Sequence, residues 1–298
     1  MKKILTFLLK LLKWLTIAGF ALAVLLLIAV EVFDRYMATD RGAQWMYNDI
    51  PGKTIDIRRT NSGLRYLSIG DADKKALVLV HGAPGGHFDW KQMASRADLY
   101  DHYRLLIVER PGYGDTQPRK AEPSVQVQAE RLLEVLEAES RPATVLGHSY
   151  GGPVAVVMAA LAPNRIDRVI GVSGQYDPDN EVTFSISYWI DFALFKYLLP
   201  RWIWVSNVEK LAHPAALRDV LPHYEQVQAP VLLIHGDADA LVPYDNSLFL
   251  QRRLSAPNTL FTVECGDHPL QMQWANELVD LVVADVNPTT PDAGLHVP

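Results

Sequence analysis

The most informative motif of this sequence is Gly147-His148-Ser149-Tyr150-Gly151-Gly152. It lies between Ala143–Gly147, an apolar run typical of a buried strand, and Tyr150–Leu161, a run of small residues that predicts a helix. A sharp strand-to-helix turn can expose a serine hydroxyl to a base, provided that glycines remove the neighbouring side chains that would collide. The stretch therefore predicts Ser149 as a nucleophile, and the alternative is a chance match in a glycine-rich turn.

Apolar runs of strand type alternate with helical runs along most of the chain. Strands are predicted at Thr54–Arg58, Leu64–Ile69, Ala76–Val80, Arg104–Glu109, Ala143–Gly147, Arg168–Ser173, Pro230–His235 and Thr259–Val263. Helices are predicted at Gln126–Glu139, Tyr150–Leu161 and Leu270–Val286. This alternation predicts an α/β fold, in which helices cover both faces of a mostly parallel sheet.

One long segment, residues 175–229, interrupts this alternation between two predicted strands. It is rich in aromatic residues, namely Phe184, Tyr188, Trp189, Phe192, Phe195, Tyr197, Trp202 and Trp204. Excursions of this length are usually functional or form a subdomain, so we expect a helical cap. Its tryptophans either favour an apolar substrate or form the core of the cap, and the cap could also rest on lipid.

A second glycine-rich loop, His81-Gly82-Ala83-Pro84-Gly85-Gly86, directly follows a predicted buried strand. A tetrahedral intermediate needs two backbone N–H donors aimed at its oxyanion. Ala83 and Tyr150 are the predicted donors, one from this loop and one from the residue after the serine. A phosphate-binding turn is disfavoured because neither glycine loop completes G-x-G-x-x-G. Gly112-Tyr113-Gly114 is interpreted as a structural turn.

Acidic residues follow the seventh predicted strand, and a histidine follows the last one. A carboxylate can hold the tautomer of a catalytic histidine and stabilise its imidazolium. Asp239 is predicted for this role, with Asp237 as the first alternative and Asp177 or Asp179 as more distant ones. His268 is predicted to be the general base, because a loop histidine at this place can reach the serine.

These motifs in this order resemble the α/β-hydrolase superfamily, over roughly residues 54–286. The resemblance implies an eight-stranded, mostly parallel sheet and a lid after the sixth strand, where the aromatic segment falls. It also implies a triad in the chain order Ser149, Asp239, His268. Glu109-Arg110-Pro111-Gly112-Tyr113-Gly114 resembles the family's turn after its fourth strand, although many members begin that turn with aspartate.

The nucleophile narrows the chemistry within that superfamily. A serine at position 149 argues against the dehalogenase and epoxide-hydrolase branches, which use aspartate. Ala83-Pro84-Gly85-Gly86 resembles the proline-iminopeptidase branch, but the Gln-Arg-Gly turn of that branch is missing and the cap is short. The sequence therefore predicts a serine hydrolase that cleaves an ester bond of a small, partly apolar substrate. The alternatives are an aminopeptidase, a lactonase, a carbon–carbon bond hydrolase, a haloperoxidase and a non-catalytic binding protein.

The N-terminal segment predicts a membrane anchor. Trp14–Val30 carries no charge, and as a helix it would cover about 26 Å of the roughly 30 Å hydrocarbon core of a bilayer. Lysines at positions 2, 3, 10 and 13 precede it, which places the main domain on the non-cytoplasmic side, periplasmic or extracellular in a bacterium. The alternatives are a buried core helix and a signal peptide cleaved near Ala21-Leu22-Ala23.

The predicted divisions of the chain follow from these features. They are an anchor at 1–35, a connector at 36–53, a hydrolase domain at 54–286 with its cap at about 175–229, and a flexible tail at 287–298.

Composition excludes several other classes of protein. The 298 residues have a formal net charge of −6, without the basic stripe that a nucleic-acid partner requires. The nine histidines show no zinc-type spacing, and no metal or other cofactor is predicted. Cys265 is the single cysteine, which excludes a disulfide scaffold, and we interpret it as a small packing residue. The oligomeric state is left open.

Overall fold

The computed structural model describes residues 2–50, 53–118, 120–192 and 199–284. Eight strands form one sheet: β1 (Ile55–Arg59), β2 (Arg65–Ile69), β3 (Lys75–Val80), β4 (Tyr103–Val108), β5 (Ala143–His148), β6 (Ile166–Val172), β7 (Val231–Gly236) and β8 (Asn258–Val263). Their order is β1-β2-β4-β3-β5-β6-β7-β8. The pairs β1–β2 and β2–β4 are antiparallel, and the remaining five pairs are parallel. The prediction of an eight-stranded, mostly parallel sheet is confirmed.

The central strands are short apolar runs because both of their faces are covered. β4, β5 and β7 are buried along their whole lengths, and β3 is buried after its first residue. Parallel strands covered on both faces read as continuous Val, Ile and Leu runs, which is the signal that the sequence carries. Each strand lies within two residues of its predicted bounds.

Eleven α-helices occur in the described residues, joined by short 3-10 turns. They are α1 (Lys2–Met37), α2 (Asp40–Tyr47), α3 (Lys91–Ala94), α4 (Leu99–His102), α5 (Val125–Leu133), α6 (Gly151–Leu161), α7 (Ser185–Ile190), α8 (Arg201–Tyr224), α9 (Asp245–Arg253), α10 (Leu270–Gln273) and α11 (Ala275–Val283). Helices α5, α6 and α8 pack over one face of the sheet. Helices α2, α3, α4 and α11 pack over the other, which gives three layers.

Two predicted helices are shorter than the sequence pattern indicates. The predicted helix Gln126–Glu139 is α5 followed by a 3-10 turn, Glu134–Leu136. The predicted helix Leu270–Val286 is divided into α10 and α11, because Trp274 between them leaves the helical conformation with φ −114° and ψ 30°. The end of that prediction and the predicted tail at 287–298 lie outside the described residues.

In the part of the cap that the structure describes, helices α7 and α8 lie between β6 and β7, where the cap is predicted. Phe195 and Tyr197 lie outside the described residues. Trp189 on α7 is 72% exposed, so it is not part of a cap core. Its neighbours Tyr188 and Phe192 are exposed as well, because this short helix lies at the surface of the cap.

The N-terminal helix α1 is long and apolar enough to cross a membrane, with a mean hydropathy of 2.6 in its most apolar window. Its last residue, Met37, is buried against the folded part of the chain. Arg65 on β2 fixes the turn that follows, donating to the Thr39 carbonyl at 3.0 Å and to Asp40 Oδ1 at 3.1 Å. Residues 36–53, predicted as a connector, thus contain a helix, α2, whose N-terminus is capped by Thr39.

Candidate active site

Ser149 lies in the turn between β5 and α6, in the left-handed backbone conformation with φ 53°. Its N–H donates to the Val172 carbonyl at 2.9 Å, which ties the turn to the neighbouring strand. A Cβ at Gly147 would lie 2.2 Å from the Gly151 carbonyl oxygen, and one at Gly151 would lie 2.3 Å from that of Val80. Both flanking glycines are therefore required by close backbone contacts, as the sequence pattern suggests.

The three side chains of the predicted triad meet at the carboxyl edge of the sheet. His268 Nε2 lies 3.1 Å from Ser149 Oγ, and His268 Nδ1 lies 2.7 Å from Asp239 Oδ2. These are hydrogen-bonding distances in the order hydroxyl, imidazole, carboxylate. In this arrangement an imidazole can take a proton from the hydroxyl while the carboxylate orients the ring.

The alternative carboxylates have other partners. Asp237 Oδ1 accepts from the Cys265 N–H at 2.6 Å and thereby holds the turn after β8. Asp177 accepts from the Asp179 N–H, and Asp179 pairs with Arg218 at 2.6 Å. The geometry therefore selects Asp239 from the four predicted candidates.

Cys265 is not a packing residue, contrary to the interpretation from sequence. It is exposed, with φ 54°, in the turn after β8. A strand end followed by a tight turn points this side chain to solvent, whereas the sequence pattern alone suggests that it continues the apolar strand.

Asp239 is buried and ionised. Its Oδ1 accepts from the N–H groups of Leu241 and Val242 at 2.9 and 2.8 Å. Burial alone would raise the pKa of Asp239, but its hydrogen bonds with His235 and His268 outweigh that effect and lower the pKa well below its usual range. A carboxylate that stays charged can stabilise the imidazolium that forms when His268 takes a proton.

His148 precedes the candidate nucleophile, and its side chain contacts the backbone of the loop that carries His268. Its Nε2 lies 3.2 Å from the His268 carbonyl oxygen, and the two imidazole rings are 5.0 Å apart. Burial, together with the charge of His268, lowers the pKa of His148 to about 3. His148 is therefore neutral near pH 7 and does not compete with His268 for a proton.

The predicted oxyanion donors, Ala83 and Tyr150, both line the cavity beside Ser149. Among the described residues, neither backbone N–H donates a hydrogen bond to another group. Tyr150 directly precedes α6, so its N–H also lies at the positive end of that helix. Two unpaired N–H groups of residues that line the same cavity as a serine can stabilise a developing oxyanion.

Arg110 holds the loop that carries Ala83. Its guanidinium donates to the carbonyl oxygens of His81 and Gly82 at 2.9 and 2.8 Å. The same guanidinium pairs with Glu209 on α8, with contacts of 2.6 and 3.1 Å. Both charged groups are completely buried. The buried ion pair of Arg110 and Glu209 thus joins the cap to the loop at residues 81–86.

A cavity of about 480 Å³ opens beside Ser149 and His268. Its apolar lining includes Phe184, Ile190, Ile203, Leu241, Val242 and Met272. Its polar lining includes Gln175, Ser206, Asn207, Lys210 and His213. Its volume suits a small substrate that has both an apolar and a polar portion.

A comparison with known families settles the classification. The sequence pattern of the alpha/beta hydrolase family matches residues 77–281. The chain belongs to this family. In the described parts of this alpha/beta hydrolase, no group of three or more His, Cys, Asp and Glu side chains is arranged to hold a metal ion.

Similar proteins support a hydrolase activity. The human serine hydrolase BPHL is 23% identical over 72% of this chain and 79% of its own length. The dihydrolipoyllysine-residue acetyltransferase component of the acetoin cleaving system of Pseudomonas putida is 24% identical over 86% of this chain and 74% of its own length. A solved membrane phospholipase A has a TM-score of 0.61 at 21% identity, covering 96% of this chain and 98% of that one. The alpha/beta hydrolase described here is an enzyme of the hydrolase class.

The sequence did not indicate the groups that support the site. Arg110 and Tyr113 stand in a stretch that resembles a family turn, but nothing there shows that they meet Glu209. Tyr113 donates to Glu209 at 2.6 Å from one side, and Gln128 donates at 2.9 Å from another. The one signal in the sequence was the charge of Glu209, which lies in a cap helix of mixed apolar and polar residues.

Proposed function

We propose that this alpha/beta hydrolase cleaves carboxylic ester bonds through an acyl-enzyme formed on Ser149. The observation that carries the proposal is the continuous chain of hydrogen bonds from Ser149 Oγ through His268 to Asp239. Ser149 and His268 line a mostly apolar cavity, which supports an ester substrate with an apolar acyl chain.

The proposed reaction has two halves. Ser149 Oγ attacks the acyl carbonyl carbon while His268 Nε2 takes the hydroxyl proton, and the N–H groups of Ala83 and Tyr150 stabilise the oxyanion. The tetrahedral intermediate collapses, and His268 gives the proton to the departing alcohol. Water then attacks the acyl-enzyme with His268 again acting as base, which releases the carboxylic acid and restores Ser149.

We also propose that α1 is an uncleaved membrane anchor and that the hydrolase domain lies on the non-cytoplasmic side. Cleavage after Ala23 would leave Leu25, Leu26 and Ile28 as an exposed apolar stub, which disfavours a signal peptide. The lysines before the span support this orientation. In isolated membranes the full chain should resist extraction by carbonate. In cells whose outer envelope has been removed while the cytoplasmic membrane stays intact, an added protease should digest the domain, and protection of the domain would contradict the orientation.

The activity is tested with chromogenic substrates that differ in the bond cleaved. The wild type should hydrolyse p-nitrophenyl butyrate far faster than prolyl p-nitroanilide, and Ser149→Ala should abolish the ester activity. Ser95→Ala, which alters an exposed serine, is the matched control and should retain it. Faster cleavage of the anilide would favour the aminopeptidase alternative and contradict the ester proposal.

A further inference from the structure

A third imidazole lines the cavity, in addition to those of His148 and His268, and it belongs to the cap. His213 on α8 stacks on the ring of Tyr150, with 4.3 Å between ring centroids and 22° between planes. The side chain is buried, and its Nε2 has no hydrogen-bond partner among the described residues. A buried polar atom is normally paired, so an unpaired one in a cavity wall points to a ligand.

Glu181 determines which proton His213 carries. His213 Nδ1 lies 3.0 Å from Glu181 Oε2, and the ammonium of Lys210 pairs with Oε1 of the same carboxylate. Burial would raise the pKa of Glu181, but the hydrogen bond and charge of His213, with Lys210, outweigh it and lower that pKa. The carboxylate oxygen of Glu181 accepts the Nδ1 proton, and a ring that carries only this proton has Nε2 free as a hydrogen-bond acceptor.

We propose that His213 Nε2 accepts a hydrogen bond from a hydroxyl group on the alcohol portion of the ester substrate. The inference rests on the proposed ester hydrolase function and names the substrate class. Lys210, which also lines the cavity, can donate to the oxygen of the same hydroxyl. Partial glycerides, such as monoacylglycerols, carry an ester and free hydroxyls on the alcohol portion.

The balance of charge favours a neutral hydroxyl over an anionic group. Glu181 is 3% exposed at its side chain and compensates the charge of Lys210, so this part of the wall has little net charge to offer an anion. A hydroxyl, in contrast, pairs with both the free acceptor and the ammonium. A site built to bind a hydroxyl discriminates strongly against a substrate that lacks it, because its buried polar atoms are then left unpaired.

The test compares two esters with one acyl chain, a monoacylglycerol and the methyl ester, by their kcat/KM values. In His213→Phe, which keeps the aromatic stack, the monoacylglycerol-to-methyl-ester ratio should fall about tenfold, the effect of one lost hydrogen bond. His213→Gln, whose side-chain oxygen can still accept, should restore part of the ratio. Lys210→Met should lower it as well, while His102→Phe, at an exposed site, should leave it as in the wild type.

The outcomes of this test distinguish a failure of the His213 inference from a failure of the proposed function. An equal fall for both esters in His213→Phe, with no recovery in His213→Gln, would overturn the inference and leave His213 a structural role. A larger loss for a lysophospholipid of the same acyl chain than for the monoacylglycerol would overturn it too, because the subsite would then bind an anion. Absence of any Ser149-dependent ester hydrolysis in the wild type would overturn the proposed function itself.

Discussion

At the scale of single residues, Ser149 holds a backbone conformation that L residues rarely adopt, with φ 53°. Such a residue costs about 1–3 kcal/mol of conformational strain, which the surrounding structure must offset. The N–H of Ser149 donates to the Val172 carbonyl. The close backbone contacts at Gly147 and Gly151 restrict the conformation of the turn further. The strained residue is the one whose hydroxyl lies within hydrogen-bonding distance of His268.

Asp239→Asn tests the role of the carboxylate without changing the shape of the site. The amide would favour the wrong tautomer of His268 and could not stabilise the imidazolium, so kcat should fall about 10³- to 10⁴-fold. Steady-state kinetics with p-nitrophenyl butyrate measures the loss. Asp237→Asn is the matched control, since Asp237 contacts only the turn at Cys265. A comparable loss in both variants would mean that Asp239 is not the orienting carboxylate.

The meeting of the three side chains of the proposed triad was predictable from sequence, because each residue follows a strand that the pattern locates. Ser149, Asp239 and His268 all stand just after predicted strands, and parallel strands bring their carboxyl ends to one edge of the sheet. His213 and Glu209 could not be predicted in the same way. Their partners depend on the path of the cap over the sheet, and no local pattern specifies that path.

At the scale of elements, α8 is the helix that joins the cap to the site. Glu209 and His213 are four residues apart and therefore lie on one face of the helix. Glu209 pairs with Arg110, which holds the loop at residues 81–86, and His213 lines the cavity. The helix runs through Pro214 and Pro222, and because prolines usually interrupt helices, the sequence alone did not define its bounds.

Glu209→Gln should weaken both the fold and the reaction. It leaves the buried guanidinium of Arg110 without its counter-charge, which should cost about 3 kcal/mol of unfolding free energy. The His81–Gly82 loop would then be held less firmly, so kcat should also fall, by about tenfold or more. Chemical denaturation and ester kinetics measure the two effects. Glu225→Gln, at the exposed end of the same helix, should change neither; a wild-type kcat in Glu209→Gln would show that the loop does not depend on this pair.

At the scale of the whole molecule, Glu109 connects the N-terminal segment with the sheet and with His87, which directly follows the loop at residues 81–86. Its Oε1 contacts Arg65 at 2.8 Å and His87 at 2.9 Å, and Arg65 in turn holds the turn after α1. Burial would raise the pKa of Glu109, but His87 and the charge of Arg65 outweigh it and lower the pKa to about 2. Folding therefore favours the ionised carboxylate.

The low pKa of Glu109 predicts how stability depends on pH. A folded-state pKa below the reference value of about 4.3 stabilises the fold above that pH, and the stabilisation is lost as the pH falls from about 4.3 to about 2. It amounts to about 3 kcal/mol in that window. Glu109→Gln should be less stable at pH 7 and lose less stability on acidification, as measured by urea unfolding. The exposed Glu137→Gln is the control, and parallel pH profiles for Glu109→Gln and wild type would contradict the prediction.

The overall architecture was the most predictable level, because strand patterns and glycine turns report local backbone requirements. The docking of α1 was not predictable, since it depends on Arg65 reaching Thr39 and Asp40 from a distant strand. Nor was the exposure of Trp189, because a cluster of aromatic residues suggests a core and gives no information about which side of a short helix faces solvent.

Covalent labelling with a fluorophosphonate, followed by peptide mass spectrometry to locate the adduct, tests whether Ser149 is the nucleophile and His268 its base. The reagent reacts with serines that an adjacent base activates. The adduct should form stoichiometrically on Ser149 in the wild type, and His268→Gln should slow its formation by several orders of magnitude. An adduct on another residue, or no adduct where control esterases are labelled, would contradict the assignment of Ser149 and His268 as nucleophile and base.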